Sequence, residues 1–394
     1  MIRYELKKIW GRRIFLLAFV IFVILDSAKI MYDSYKYHPK NIFNIRRSEL
    51  YDMVEGEWNS ETIDYVVSTY KNASKIVSSG NYSTEPDQPG TFTGYIFGDF
   101  GLFGEVFDKM DYMYNYHSEM ESTLKKAVEN VELYEKLGNE YSAAENRKIL
   151  EMYSDRSVSA FYDTDGAFAL FSYDIASVMI MMLMILSLAP VFTCEKETEM
   201  QLLLRTSVNG GKRLIIAKIV ASLLTALVIT VVFSAVDIVT FTTAYGIKCY
   251  KLPLYAIKQF SNTPLSCSIG AYFSIDFLYK ISGILIMSLI YLILSSVSPD
   301  EIISFCSCFA VTILFILMDG AYNPIRLMTS RELFIEFDTI NILGIPVMVY
   351  TAVIPIAAIT AIMLMLILFF TGKRKFIGRY GMKTIIQRAK ERLF

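Results

Sequence analysis

The sequence predicts an all-α polytopic membrane protein with six transmembrane helices and a large helical extracytoplasmic insert between helices 1 and 2. Three observations lead to this fold class. The 394 residues are 54% hydrophobic, against about 45–50% in ordinary soluble domains, and the excess lies in runs near the ~20 residues that cross a bilayer. Lys and Arg residues are concentrated in alternate segments between and beside these apolar runs. An acidic, polar stretch separates the first run from the second.

The first apolar run follows a basic start. Residues 1–13 contain five Lys and Arg, and basic residues beside a span favour the cytoplasmic side of the membrane. Ile14–Met31 is interpreted as an uncleaved first span, because no small-x-small cleavage site follows it. Residues 1–32 are therefore predicted to form a cytoplasmic N terminus and transmembrane helix 1, with Asp26 near the outer end of the span.

The polar stretch, residues 33–166, is predicted to be an extracytoplasmic helical domain. It holds 24 acidic against 13 basic residues, which disfavours a cytoplasmic position beside a span. Apolar spacing and turn residues predict four helices in it, the last two forming a hairpin: Ile42–Val54, Thr62–Val77, Glu105–Leu137 and Glu140–Tyr153. The hairpin tyrosines Tyr112, Tyr114 and Tyr116 fit a binding face or amphipathic packing, and packing is the commoner use.

Residues 167–372 are predicted to hold the other five spans. These are Ala167–Thr193, Ile215–Ala244, Ala271–Leu294, Ile302–Met318 and Ile345–Phe370. The outer link before the last span carries an amphipathic stretch, Leu333–Ile342. Residues 373–394 hold eight basic residues and one acidic residue, so this tail is predicted to be cytoplasmic. The protein is expected in the plasma membrane, multi-pass, with both termini inside.

The cytoplasmic segment 195–213 between spans two and three is short and amphipathic. Acidic residues begin it, an apolar patch follows, and basic residues end it. Anchored by a span on each side, such a segment fits an ordinary interfacial loop or an element that passes force from a soluble partner into the membrane. Its candidate coupling residues are Glu195, Glu197, Leu202, Leu203, Leu204, Arg205, Lys212 and Arg213.

The order of residues here also carries a family resemblance. Phe192, Glu195, Glu197, Leu202–Leu204, Thr206, the Lys212–Arg213 pair and Lys218 follow one another in a pattern that resembles the first cytoplasmic loop of ABC type-2 permeases. The chain departs from that pattern in having Glu199-Met200 where Gly-Thr is usual and Ser207 where proline is frequent. The resemblance covers the six spans and their cytoplasmic links, but not the insert after the first span.

This resemblance implies a function and partners. The chain would be the membrane subunit of an ATP-driven exporter, forming the substrate path with a second copy or a similar permease. ABC ATPase subunits would grip the inner links and carry the ATP and Mg²⁺, so no cofactor is expected in this chain. Glu195 and Glu197 fall where the family's coupling glutamates lie. The transported substrate stays open.

Three charged residues inside predicted spans are the second candidate site. Asp237, Asp276 and Lys280 lie toward the outer half of spans three and four, where burial of charge in lipid is costly. They fit a polar outer vestibule in which Lys280 pairs with Asp237 or Asp276, or an intrahelical Asp276–Lys280 pair. The alternative is snorkelling at span ends, the interpretation preferred for Asp26, Asp174 and Asp319.

Several chemistries are disfavoured by the motifs. There is no GxxxxGK[ST] phosphate loop, no HExxH and no GxSxG motif, so the chain is not expected to be an enzyme. No Cys/His cluster suggests a metal, and no nucleic-acid partner is expected. Cys249 and Cys267 share an outer loop, where a disulfide and two free thiols both remain open. The alternative function is a membrane sensor or interaction protein with the extracytoplasmic domain as receptor.

Overall fold

The computed structural model describes residues 1–37, 42–80, 88–200, 211–318, 320 and 322–391. It is mostly helical. In chain order the helices are α1 Ile2–Trp10, α2 Arg13–Tyr37, α3 Ile42–Val54, α4 Ser60–Ser78, α5 Ile96–Lys136, α6 Glu140–Tyr153, α7 Asp165–Phe171, α8 Ile175–Leu188, α9 Pro190–Glu197, α10 Lys212–Tyr245, α11 Ile269–Val297, α12 Glu301–Leu317, α13 Pro324–Met328, α14 Glu332–Ile335 and α15 Val349–Glu391.

Within the described ranges, five helical segments are long and apolar enough to cross a membrane: Arg13–Lys36, Asp165–Glu197, Lys212–Tyr245, Ile269–Val297 and Val349–Thr371. They agree with five of the six predicted spans. The sixth, α12, is apolar but has only 17 residues, which rise about 25 Å against a hydrocarbon thickness of about 30 Å. The polytopic helical class is therefore confirmed.

We call the end of the helices that carries the N terminus and Glu195 the inner end, and the opposite end the outer end. The second membrane segment is broken into α7, α8 and α9 rather than continuous. Pro190 starts α9 and has no N–H to continue the helix bonds. The adjacent Ala189 carbonyl instead accepts hydrogen bonds from the hydroxyls of Ser295, at 2.6 Å, and Ser304, at 2.8 Å.

The predicted helical hairpin is present as α5 and α6, which pack along each other. Helix α5 begins at Ile96, earlier than the predicted Glu105, because Asp99 accepts bonds from the N–H groups of Phe92 and Thr93 and so orders the preceding loop. The strands β1 Gly56–Glu57 and β2 Ala160–Phe161 pair antiparallel beside the hairpin.

The hairpin tyrosines mainly pack. The Tyr112 hydroxyl donates to the Tyr255 carbonyl at 2.7 Å, and that of Tyr116 donates to the Ser261 carbonyl at 2.9 Å. Both side chains are buried, whereas Tyr114 is 61% exposed. The link 246–268 thus lies under the hairpin and joins it to the outer ends of α10 and α11.

The start of the predicted sixth span is wrong. Ile345–Met348 forms strand β4, antiparallel to β3 Thr339–Ile342, and α15 begins only at Val349. Leu343 and Gly344 connect the strands with φ of 54° and 86°, the two-residue hairpin turn that favours positive φ. Of the predicted amphipathic stretch, only α14 is helical. Cys249 and Cys267 are both free thiols.

Candidate functional site: a buried charge network at the inner end

Helices from four parts of the chain meet at the inner end around Lys218. Its ammonium donates to Glu195 Oε1 at 2.7 Å, to Glu5 Oε2 at 3.0 Å and to the Val191 carbonyl at 2.9 Å. The Lys218 side chain is 1% exposed. All three N–H donors of the ammonium therefore have an acceptor, which is what a buried charge needs to be tolerated.

The N-terminal helix α1 is docked onto the spans by the same network. Lys8 pairs with Glu195, and the Trp10 indole N–H donates to Thr225 Oγ1 of α10 at 3.3 Å. Because α1 is anchored this way, the basic N terminus is a structural part of the inner end rather than a free tail.

Helix α9 also holds the turn between α11 and α12. The Lys196 ammonium donates to the carbonyls of Ser296 and Ser298, both at 2.7 Å, at the C-terminal end of α11. Cations at that end of a helix are favoured by the helix dipole. Glu197 Oε1 accepts from the Glu301 N–H at 2.7 Å, at the first residue of α12. Two neighbouring residues of α9 thus bind the facing ends of two helices.

We call this set the inner junction: Glu5, Lys8, Glu195, Lys196, Glu197 and Lys218. It joins α1, α9, α10 and the α11–α12 turn through hydrogen bonds and ion pairs. Its buried part holds the carboxylates of Glu5 and Glu195 and the Lys218 ammonium, and the half-buried Lys8 supplies a second positive charge.

The predicted coupling residues fall into three groups. Glu195 and Glu197 lie at the end of α9. Glu195 is 4% exposed and pairs with Lys218 and Lys8 within the chain, and Glu197 accepts from the Glu301 N–H. Lys212 and Arg213 are exposed at the start of α10, and the Lys212 ammonium lies 5.9 Å from the Phe369 ring centre. The remaining members lie outside the described residues: Leu202, Leu203, Leu204 and Arg205. The coupling role of the segment stays a prediction.

The second predicted site forms one cluster at the outer half of the spans. Lys280 is 8% exposed and its ammonium lies 3.7 Å from Asp237 Oδ2, so its side chain is buried in the protein. Asp276 accepts from the Ser330 hydroxyl at 2.7 Å. All three line a partly open cleft. Asp319, also predicted near this end, lies outside the described residues.

Asp26 does not snorkel. It is fully buried, and the Tyr173 hydroxyl donates to its Oδ1 at 2.8 Å. The polar site therefore has a member that sequence reasoning placed at the membrane surface. The overlooked signal is depth, because Asp26 lies about 20 Å along α2 from Arg13 at 1.5 Å per residue.

A third charge cluster lies in the hairpin domain. Arg47 Nη2 contacts Glu105 at 2.7 Å and Asp163 at 3.0 Å, and Lys109 Nζ contacts Asp163 at 3.0 Å. Burial works to raise the pKa of Glu105, but its hydrogen bond with Arg47 and the nearby positive charges outweigh burial and lower that pKa. Burial also works to raise the pKa of Asp163, but the positive charges of Lys109 and Arg47 outweigh burial and lower that pKa.

Comparison with known proteins adds no relative: no protein-family model, no curated protein and no solved structure matches this chain. In the described part of the chain, no group of three or more His, Cys, Asp or Glu side chains is placed to hold a metal ion.

Proposed function

We propose that this chain is the membrane-spanning permease subunit of an ATP-driven ABC exporter, with ATP hydrolysed by a separate subunit. The observation that carries the proposal is the inner junction. A transporter powered by a partner needs a place where motion at the membrane surface reaches several spans. Helix α9 leads directly into the segment that resembles the family's coupling loop, and its last residues bind α10, α11 and α12.

The form of the junction supports this role. Lys196 contacts the end of α11 through three backbone carbonyls, counting the Ser295 carbonyl at 3.3 Å, and Glu197 contacts the start of α12. These contacts are short and directional, so the helix ends follow α9 rather than slide past it. An interfacial loop with no mechanical role has no need of such ties.

In this proposal six helices cross the plasma membrane, with α12 as a short span, and both termini are cytoplasmic. Exposed apolar side chains on α12, such as Ile302 at 75% and Leu317 at 77%, would face lipid or a second permease. A cysteine placed at the exposed Ser79, directly after α4, should react with a membrane-impermeant maleimide in intact cells. Labelling only after lysis would overturn this topology.

The partner is tested by purifying the tagged full chain from its native cells in mild detergent and identifying the proteins that remain bound. The proposal expects an ATPase with a phosphate-binding loop, in a complex that hydrolyses ATP. Recovery of a histidine kinase in place of an ATPase would favour the alternative, a membrane sensor that uses the hairpin domain as receptor.

A further inference from the structure

Two carboxyls from different spans meet inside the protein. Asp26 of α2 is fully buried and Asp237 of α10 is 4% exposed. The Asp26 carboxyl lies within hydrogen-bonding reach of the Asp237 carboxyl. We call these two residues the acid pair.

The acid pair has acceptor oxygens left without donors. Among the described residues, no hydrogen bond reaches Asp26 Oδ2 or Asp237 Oδ1. An ionised carboxylate is acceptor-only, so two of them side by side cannot satisfy each other. Two neighbouring carboxylates repel each other, and this repulsion opposes the ionisation of both groups. One proton between the carboxyls removes both problems, because it turns one of them into a donor.

The charges around the pair point the same way. The nearest cation is the Lys280 ammonium of α11, 3.7 Å from Asp237 Oδ2. Two carboxylates beside one ammonium leave an excess of negative charge even before Asp276, one turn from Lys280, is counted, and a proton on the pair reduces that excess, as burial favours. The other groups facing this region already have partners: Tyr173 with Asp26, Asp174 with Arg331, Asp276 with Ser330, and Lys29 with Asp33.

The pair has a route to water. Asp237 and Lys280 line the outer cleft together with Tyr173, whose hydroxyl donates to Asp26. About 50 Å³ of the cleft can hold the centre of a water molecule, enough for a few waters at about 10–15 Å³ each. A small hydrated cleft beside an ammonium disfavours a metal cation, whereas a proton needs neither volume nor a coordination shell.

We propose that the acid pair binds one proton, shared between the Asp26 and Asp237 carboxyls, and exchanges it with water in the outer cleft. Release leaves two carboxylates and passes the proton to water, and uptake reverses this step. The inference goes beyond the proposed function and does not depend on an ATPase. It makes the contact between α2 and α10 sensitive to the proton concentration on the outer side.

Infrared spectroscopy of the purified full chain tests the proposal. With aspartate carbons labelled by ¹³C, the wild type should show the C=O band of a buried protonated aspartic acid at neutral pH. This band should disappear as the pH is raised. Asp26→Asn and Asp237→Asn should each lose it, because the asparagine amide supplies the missing donor and only one carboxylate then remains in the pair.

Two further variants keep the test decisive where an asparagine variant fails to fold. Tyr173→Phe should shift the band without removing it, because Tyr173 donates to Asp26 but does not carry the shared proton. Lys280→Met should retain the band to a higher pH, because the ammonium favours the ionised pair. The exposed Asp155→Asn serves as control and should leave the band unchanged.

Three results would overturn the proposal. They are a wild type without the band at neutral pH, asparagine variants of both pair members that keep it unchanged, and loss of the band in Asp276→Asn alone. The last result would place the proton on the neighbouring carboxyl that accepts from Ser330.

Discussion

The buried part of the inner junction and the acid pair with its neighbour Lys280 both place charged side chains in contacts between helices, yet they are built in opposite ways. At the inner junction, Lys218 directs all three donors to acceptors, and two carboxylates face two ammonium groups. At the acid pair, two carboxylates face one ammonium at 3.7 Å, and two buried oxygens have no donor among the described residues.

This difference separates two uses of buried charge. A saturated, balanced network fixes helices relative to one another, because any displacement leaves a charge unpaired in a medium of low dielectric constant. An unsaturated and unbalanced group is instead ready to take up a ligand of the missing charge. The first kind suits the transmission of motion, and the second suits a binding site.

The largest loss of stability is expected from removing Lys218, the buried cation of the inner junction. Lys218→Met leaves two buried carboxylates, Glu195 and Glu5, without their common partner. Loss of one member of a buried pair typically costs about 3–5 kcal/mol, so thermal unfolding of the purified chain should occur at a clearly lower temperature. The matched control is Lys248→Met, since Lys248 is 52% exposed and exposed pairs contribute about 0–1 kcal/mol. Equal shifts for the two variants would contradict the saturated-network interpretation.

The second-largest loss of stability is expected at Gly283, where α11 and α13 pack closely near the acid pair. Gly283 lies one turn from Lys280 on α11, and a Cβ added there would lie 2.4 Å from the Pro324 carbonyl oxygen of α13. Gly283→Ala should therefore destabilise the protein by about 1–3 kcal/mol through overpacking, measured by the same unfolding experiment.

Its control is Gly101→Ala in α5, where an added Cβ meets nothing within 4 Å. Alanine is favoured over glycine in a helix by about 0.5–1 kcal/mol, so this variant should be neutral or more stable. If Gly283→Ala is as stable as Gly101→Ala, α13 does not pack on α11 as described.

A third effect concerns the partly exposed cluster of the hairpin domain. The pKa values of Glu105 and Asp163 are lowered on folding, so both carboxylates stabilise the fold above their unfolded pKa values. That stability is lost as the pH falls through their folded values. Unfolding should therefore become easier as the pH falls below about 4.5, the ordinary pKa of a glutamate.

Trp58 reports on this domain, because its indole N–H donates to the Val158 carbonyl at 2.7 Å. Its fluorescence in a Trp10→Phe background should follow the acid transition. Asp163→Asn should cost about 1 kcal/mol at neutral pH, the size of a typical net hydrogen bond, and should weaken the pH dependence. An unchanged pH profile in Asp163→Asn would show that the cluster does not control acid stability.

The smallest effect is expected at the exposed edge of the inner junction. Glu197→Gln removes a negative charge from the N-terminal end of α12 but keeps an acceptor for the Glu301 N–H. The expected loss is about 0.3–1 kcal/mol. Glu199→Gln, two residues further along and exposed, should have no effect. If Glu197→Gln lowers the free energy of unfolding as much as Lys218→Met does, the exposed edge contributes as much stability as the buried part of the inner junction.

Apolar runs and charge asymmetry were enough to predict the helical class, the positions of five membrane helices, and helices α3 and α6 to the residue. They did not predict the break at Pro190, although a proline within a span is a local signal for one; only the serines that bond the Ala189 carbonyl, Ser295 and Ser304, come from distant parts of the chain. Strand β4 was read as the start of a span, because Ile345 and Val347 are as apolar in a hairpin as in a membrane.

The candidate sites were predicted in part. Lys280 was predicted to pair with Asp237 or Asp276, because each is a charge within an apolar run, and the contact observed is with Asp237. Glu5 and Lys8 were not singled out, because a charged N terminus is ordinary beside a span and nothing in their spacing points to Lys218. Glu195 was assigned to a partner protein, since sequence alone does not say that the spans place Lys218 within its reach.

The account is tested most directly by the ATPase rate of the intact complex carrying Lys196→Met, compared with the wild-type complex and with the isolated ATPase. The variant removes the ammonium that binds the Ser296 and Ser298 carbonyls and keeps all the predicted coupling residues. Lys258→Met, an exposed lysine in the outer link, is the matched control. If α9 transmits the partner's motion, the Lys196→Met complex should stay assembled and hydrolyse ATP at the rate of the isolated ATPase. A rate equal to that of the wild-type complex would contradict the claim that the inner junction couples the two subunits.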